Sequence, residues 1–407
     1  MKHFAMSNEK KIVAFTFTAH FLFHFYELAF PALAIPLVLS LNMSLEEVLK
    51  LGFPMYLCFG LFSLPWGLFA DRVGNRIALI ISFFGTGAGS VMTVFAASPF
   101  QIMLSLGVVG IFAGIAHPAG MGLISLGVSN RGTALGVNAI AGSIGLTVAP
   151  FLAGFLNWAA GWKAAYLAAA VFALLWGIAM VFTRIDETPL IHEHEKDRPL
   201  AKGHPALLPS VILFFAIVTL GGLTYRINIV VLPAYLELKA SFLSELLHFH
   251  APAAMTMAAG ILTSIIYIAG IGGQFFGGRM ADRYELRRLY LIFNAASLAF
   301  VVAMAYGTEE FLFAASAVYV FFALGIQPIE NSLIAKLTPL KWRSTGYGLA
   351  SALIFGVGSL AIYLIGWVKA MWHLGIVYIF SGVMTIIIVA GILLLMRMTR
   401  GATFKNF

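Results

Sequence analysis

Charge is scarce in this sequence. Only 10% of its 407 residues are Asp, Glu, Lys or Arg, whereas 61% are hydrophobic and the mean hydropathy is +0.94. A chain of this length in water needs far more charge to cover its surface, which excludes a soluble protein of two or three domains. Cysteine is nearly absent too. Cys58 stands alone inside an apolar run, so there is no internal disulfide and no thiol-based metal or redox motif. No glycine-rich nucleotide loop, zinc-helix motif or nucleophile elbow occurs, and no soluble domain interrupts the apolar runs. An enzyme is therefore not expected, nor is a resident cofactor or metal. A cleaved N-terminal signal is not expected either, because the first apolar stretch is too long and no small-residue cleavage site follows it.

Apolar runs fill the space that charge leaves. A chain that uses lipid as its solvent can cross it only as helices or as a closed barrel. The runs reach the ~20 residues that a helix needs and lack the alternating segments of a membrane barrel. They predict an all-α integral membrane protein of twelve spans, near 12–39, 48–70, 77–97, 100–126, 133–156, 163–183, 209–236, 254–281, 289–307, 311–335, 345–368 and 374–397.

Basic residues orient these spans. With the N-terminus in the cytoplasm, twenty of the twenty-five Lys and Arg lie on cytoplasmic segments. Only Lys50, Lys163, Lys239 and Lys369 fall on the other side, and Arg226 lies inside a span. The positive-inside bias then puts both termini and the central loop in the cytoplasm, in the cell (inner) membrane. The net charge of +8 is a product of topology, so no nucleic-acid partner is expected. The central polar stretch contains His192-Glu193-His194-Glu195. With no second ligand cluster it reads as a solvated linker. The expected units are a bundle over 12–183, a linker over 184–208 and a second bundle over 209–398.

The bundles repeat. Gly67-Leu-Phe-Ala-Asp71-Arg72-Val-Gly74-Asn-Arg76 follows span two, and Gly278-Arg-Met-Ala-Asp282-Arg283-Tyr-Glu285-Leu-Arg287-Arg288 follows span eight at an offset of 211. His117-Pro118 matches Gln327-Pro328, Arg131-Gly-Thr matches Arg343-Ser-Thr, and Pro31 matches Pro233. Duplication of this kind builds transporters with a site at the interface of two halves. The paired Gly-x-x-x-Asp-Arg segments resemble the signature loop of the major facilitator superfamily. That resemblance implies two pseudo-symmetric six-helix bundles in a transporter working by alternating access. It makes Asp71, Arg72, Arg76, Arg131, Asp282 and Arg283 a conformational gate at the cytoplasmic face. Gly145-x-x-x-Ala149-Pro150-x-x-Ala153-Gly154 in span five is similar to the family's antiporter motif, and also reads as small residues for close helix packing. Ala19-His20 and Gly114-Ile-Ala-His117-Pro118-Ala-Gly120 resemble the fosmidomycin-resistance branch. The chain departs from that branch at Phe23-His24, where an asparagine–aspartate pair would stand.

Ionisable groups inside spans are costly and face a cavity or a partner. His20, His24 and Glu27 lie at i, i+4 and i+7 on one face of span one. Span four adds His117, span seven Arg226, and span ten Gln327, Glu330 and Asn331. In the resembled fold these four spans line the central cavity. His24 and Arg226, each seven residues before its proline, are expected to face each other near the midplane. Substrate binding is assigned to His24, Arg226, His117, Gln327 and Asn331, and proton coupling to Glu27, Glu330 and His20. His117 is also placed to bond the carbonyl that Pro118 frees, and Arg226 to neutralise Glu27 or Glu330. The expected function is proton-coupled efflux of a small polar or anionic organic compound by a monomer embedded in lipid. The alternatives are import of an organic anion and passage of a divalent metal along His20, His24, Glu27 and His117, against which Arg226 argues by repulsion.

Overall fold

The computed structural model describes residues 6–129, 131–188, 207–337 and 343–400, and all regular elements among them are helical. Eleven helices are long and apolar enough to cross a bilayer, and the pair Leu45–Leu61 and Ser63–Val73, bent by 45°, makes a twelfth span. The chain is thus a multi-pass membrane protein. Span 1 runs Asn8–Ala32 and continues as Ala34–Leu41, and span 2 is the bent pair. Spans 3 to 6 are Asn75–Phe95, Pro99–Gly127, Arg131–Ala160 and Lys163–Phe182. Spans 7 to 10 are Leu207–Lys239, Pro252–Ala281, Leu286–Tyr306 and Glu309–Leu337. Span 11 joins Arg343–Ser351 to Ala361–Met371 through a π turn (Ala352–Gly356) and a 3-10 turn (Val357–Leu360), and span 12 is Ile376–Met398. The linker cluster at 192–198 and the side chain of Arg131 lie outside the described residues.

Prolines set the breaks, and other spans repair them. Pro31 has no N–H to give Glu27, four residues earlier, and the Tyr56 hydroxyl donates to the Glu27 carbonyl at 2.8 Å instead. Pro118 similarly frees the carbonyl of Gly114, where span 4 breaks, and Ser63 donates to it at 3.3 Å. The expectation that His117 serves this carbonyl is therefore corrected: a hydroxyl from span 2 reaches it. One end of the first bundle is strapped together. Asn8 exchanges side-chain hydrogen bonds of 2.9 Å with the Asp186 backbone, and Lys11 donates to the Arg184 carbonyl at 3.3 Å.

Two seams join the halves where small residues let backbones touch. At the crossing of spans 2 and 11, a Cβ on Gly60 would lie 2.2 Å from the Gly356 nitrogen. At the crossing of spans 5 and 8, a Cβ on Gly260 would lie 2.4 Å from the Pro150 carbonyl oxygen. Ala149 and Ala153, from the small-residue motif of span 5, are fully buried beside this seam.

Candidate functional site

Span 1 delivers His20, His24 and Glu27 to the interior, as the helical register requires, and all three are buried. Span 7 brings Arg226 to the same place, and it is 0% exposed. Glu27, not His24, is its direct partner. Glu27 Oε1 lies 3.0 Å from Arg226 Nη1, while His24 Nδ1 lies 2.8 Å from Glu27 Oε2. The Tyr225 hydroxyl also donates to Glu27 Oε2, at 3.1 Å. The Tyr56 ring lies under the guanidinium, 4.0 Å from its carbon, and supplies its negative face. His24 and Arg226 thus converge on one carboxylate from opposite halves, with Glu27 between them.

The guanidinium is under-served. Among the described residues none of Nε, Nη1 and Nη2 of Arg226 has an aligned hydrogen-bond acceptor, and the contact with Glu27 Oε1 pairs the charges without aligning a hydrogen bond. Buried donors without acceptors are rare in folded proteins. A buried ion pair adds little stability over a packed apolar pair, because each ion loses several kcal/mol of hydration.

The imidazoles form a second layer behind Glu27. His20 Nδ1 donates to the Asn138 carbonyl of span 5 at 2.6 Å, and His24 Nε2 lies 3.2 Å from His20 Nε2. The His117 ring sits edge-on to His20 with centroids 4.7 Å apart, and its buried Nε2 has no partner among the described residues. Phe23 and Phe355 pack against His117 at 4.5 and 5.8 Å, closing it off with apolar surface from both halves.

Span 10 contributes separately. Glu330 is buried and accepts from the Tyr290 hydroxyl at 2.8 Å, with no cation within 4.0 Å among the described residues. Gln327 accepts from Gln274 of span 8 at 2.6 Å, and Gln274 in turn bonds Ser143 of span 5. Asn331 is exposed beside them. Glu237 is a carboxylate the span boundaries missed, because span 7 runs past residue 236 to Lys239. It accepts from Thr256 at 2.7 Å. Tyr225 and Tyr56 were legible only as aromatics. The pairing of a tyrosine with Arg226 in the chain was the available signal for the first.

Comparison with known proteins places the chain in a family. The sequence profile of the Major Facilitator Superfamily matches residues 15–262 and again 214–406, so each half carries the family pattern. The chain belongs to the Major Facilitator Superfamily. It is 22% identical over 389 residues to a probable hexose phosphate transport protein of Chlamydia pneumoniae, covering 88% of this chain and 84% of that one. It is 25% identical over 268 residues to a probable sulfoacetate transporter of Cupriavidus necator, covering 60% of each. Its fold matches the crystal structure of a D-xylose-proton symporter with a TM-score of 0.76 at 16% identity, over 95% and 97% of the two chains. A superfamily member of this kind is a transporter of small organic substrates and not an enzyme.

The superfamily's signature loops are the remaining candidates. Asp71 and Arg72 at the end of span 2, and Asp282 and Arg283 at the end of span 8, are exposed. Arg76 is turned the other way. Its guanidinium donates to the carbonyls of Met180, Val181 and Thr183 at 2.8, 2.8 and 3.0 Å, closing the end of span 6.

Proposed function

We propose that the protein exports a small organic anion bearing a phosphate, sulfonate or carboxylate group, in exchange for protons, across the cell (inner) membrane. The observation that carries the reading is Arg226, fully buried between the halves with three nitrogens that lack an aligned acceptor among the described residues. A planar fork of N–H donors matches such an anion in two-point contact. In the absence of substrate Glu27 balances its charge, and an incoming anion competes for the same guanidinium. Gln327 and Asn331 supply neutral donors from span 10. The substrates for which the two relatives are named, a hexose phosphate and sulfoacetate, are anions of this class.

The coupled proton is assigned to Glu330. It is a buried carboxylate whose only described partner is a neutral hydroxyl, that of Tyr290, so no cation offsets its ionised form. Efflux rather than import rests on the fosmidomycin-resistance resemblance at His20 and His117 and on the partial antiporter motif of span 5. Both termini are assigned to the cytoplasm by the distribution of Lys and Arg, and the working unit is taken as a monomer in lipid.

Two experiments test this. Isothermal titration of purified protein with glucose 6-phosphate and with sulfoacetate should show binding of at least one of them. Arg226→Ala should abolish that binding and Arg226→Lys weaken it about tenfold; equal binding by Arg226→Ala rejects the anion site. In proteoliposomes, Glu330→Gln should keep substrate exchange but lose transport driven by a pH gradient. Retained gradient-driven transport removes Glu330 from the coupling role.

A further inference from the structure

Anion recognition by Arg226 and proton carriage by Glu330 leave three imidazoles without a role, two of them buried and that of His117 half-buried. Their partners determine where their protons are. A backbone carbonyl only accepts, so His20 Nδ1, 2.6 Å from the Asn138 oxygen, carries hydrogen. His24 Nδ1 faces a carboxylate that is ion-paired with Arg226, so it too is the donor in its 2.8 Å bond. In neutral rings both Nε2 atoms then bear lone pairs, and these two nitrogens face each other at 3.2 Å. Two acceptors at that distance repel unless a cation lies between them. His117 brings a third nitrogen, buried and unpartnered, and one nitrogen from each ring lies within 4.8 Å of the other two.

We infer that His20, His24 and His117 form a three-imidazole binding site for a divalent transition metal of the zinc class. Zinc–nitrogen bonds of about 2.0–2.1 Å in a tetrahedron hold ligand nitrogens about 3.3 Å apart, and His20 and His24 already stand at that spacing. Their far nitrogens are fixed by a carbonyl and a carboxylate, the outer-shell arrangement that orients metal-binding imidazoles. One nitrogen of His117 already lies within 4.8 Å of a nitrogen on each of the other two rings, so an inward movement of its side chain closes the set. An all-nitrogen donor set favours zinc, cobalt, nickel or copper over magnesium or calcium. The repulsion from Arg226 that counts against a metal in the sequence is offset, because Glu27 lies between the guanidinium and His24. A single proton shared by His20 and His24 is the competing occupant of the gap, and it leaves His117 Nε2 without a partner.

Cobalt(II) distinguishes the two. The full chain, stripped with chelator and carrying His192→Ala and His194→Ala to remove the linker imidazoles, is titrated with Co2+ without any organic anion, so the outcome is independent of Arg226 chemistry. One Co2+ per chain should bind with the visible absorption of a four-coordinate ion, be displaced by Zn2+ and resist displacement by Mg2+. His117→Ala should weaken binding at least tenfold, whereas His117→Cys should retain it and add a thiolate-to-cobalt charge-transfer band. The thiolate band keeps the test decisive even where the alanine variant fails to fold. No visible cobalt spectrum in the parent, or the same affinity in His117→Ala, or no thiolate band in a folded His117→Cys, would overturn the metal site and leave the proton-bridged pair.

Discussion

The two signature loops do the same work with their acids in different places. After span 2 the chain turns at Gly74 with φ +104°, and the carboxylate of Glu187, from beyond span 6, accepts from the Asn75 and Arg76 N–H groups at 2.8 and 3.1 Å. After span 8 no left-handed residue is needed. Glu285, at the position equivalent to Gly74, is itself the N-cap of span 9 and accepts from the Arg288 N–H at 2.9 Å. Both solutions put a carboxylate on the positive end of the next span. In both, the arginine two residues on closes a distant helix end: Arg76 caps the carbonyls of span 6, and Arg287 donates to the Thr399 carbonyl at 2.7 Å after span 12. Duplication thus preserves the electrostatic job and not the residue that does it. The glycine in one half and the glutamate in the other are each explained by where the acid comes from.

Exchanging the two solutions is the severest test. Gly74→Glu forces a side chain into φ +104° and places its Cβ 3.1 Å from Glu187 Oε1. A loss of about 2–3 kcal/mol is expected, seen as a lower unfolding temperature in detergent; an unchanged temperature would show that the first loop tolerates the second loop's design. Next come the arginines. Arg76→Ala and Arg287→Ala should each cost about 1–3 kcal/mol through lost charged hydrogen bonds, and an effect in only one half would break the equivalence. Glu187→Ala and Glu285→Ala should then cost about 1 kcal/mol each, the usual value of a cap, in the same thermal assay. The smallest stability effect is expected at exposed Asp71. Asp71→Asn should stay within about 0.5 kcal/mol while transport falls and substrate affinity holds within a few-fold. Lost binding in a folded variant would move Asp71 into the site.

Orientation is open to the same kind of contrast. On a Cys58→Ala background, a cysteine replacing exposed Thr308 should react with an impermeant reagent applied outside intact cells, and one replacing exposed Tyr284 should not. The opposite pattern would reverse the assignment of faces.

Hydropathy and the repeat make the twelve crossings legible, because lipid leaves the backbone so few options. The site is legible by helix and less so by pair. His24 and Arg226 share a register relative to their prolines, yet Glu27 is three residues from His24 on the same face, and register alone does not separate positions one turn apart. The repairs at Pro31 and Pro118 were legible as needs, because a proline always frees a carbonyl. Their suppliers, Tyr56 and Ser63, come from another span and are fixed only by packing. Glu237 escaped because the apolar run of span 7 ends at Leu236, whereas hydrogen bonding carries the helix on to Lys239.

The bare contact between Gly60 and Gly356 has a mechanical consequence. Where helices meet through side chains, turning one against the other means lifting knobs out of holes and crossing rotamer barriers. At the Gly60–Gly356 point itself there are no knobs, and the π and 3-10 turns of span 11 lie on the same stretch of backbone. Such a joint behaves as a smooth bearing: one helix rolls over the other with little to snag. Alanine at Gly60 fits a tooth to the bearing and should slow the conformational cycle more than it weakens any ligand, which stopped-flow fluorescence of a labelled protein would register as a slower transition at unchanged affinity.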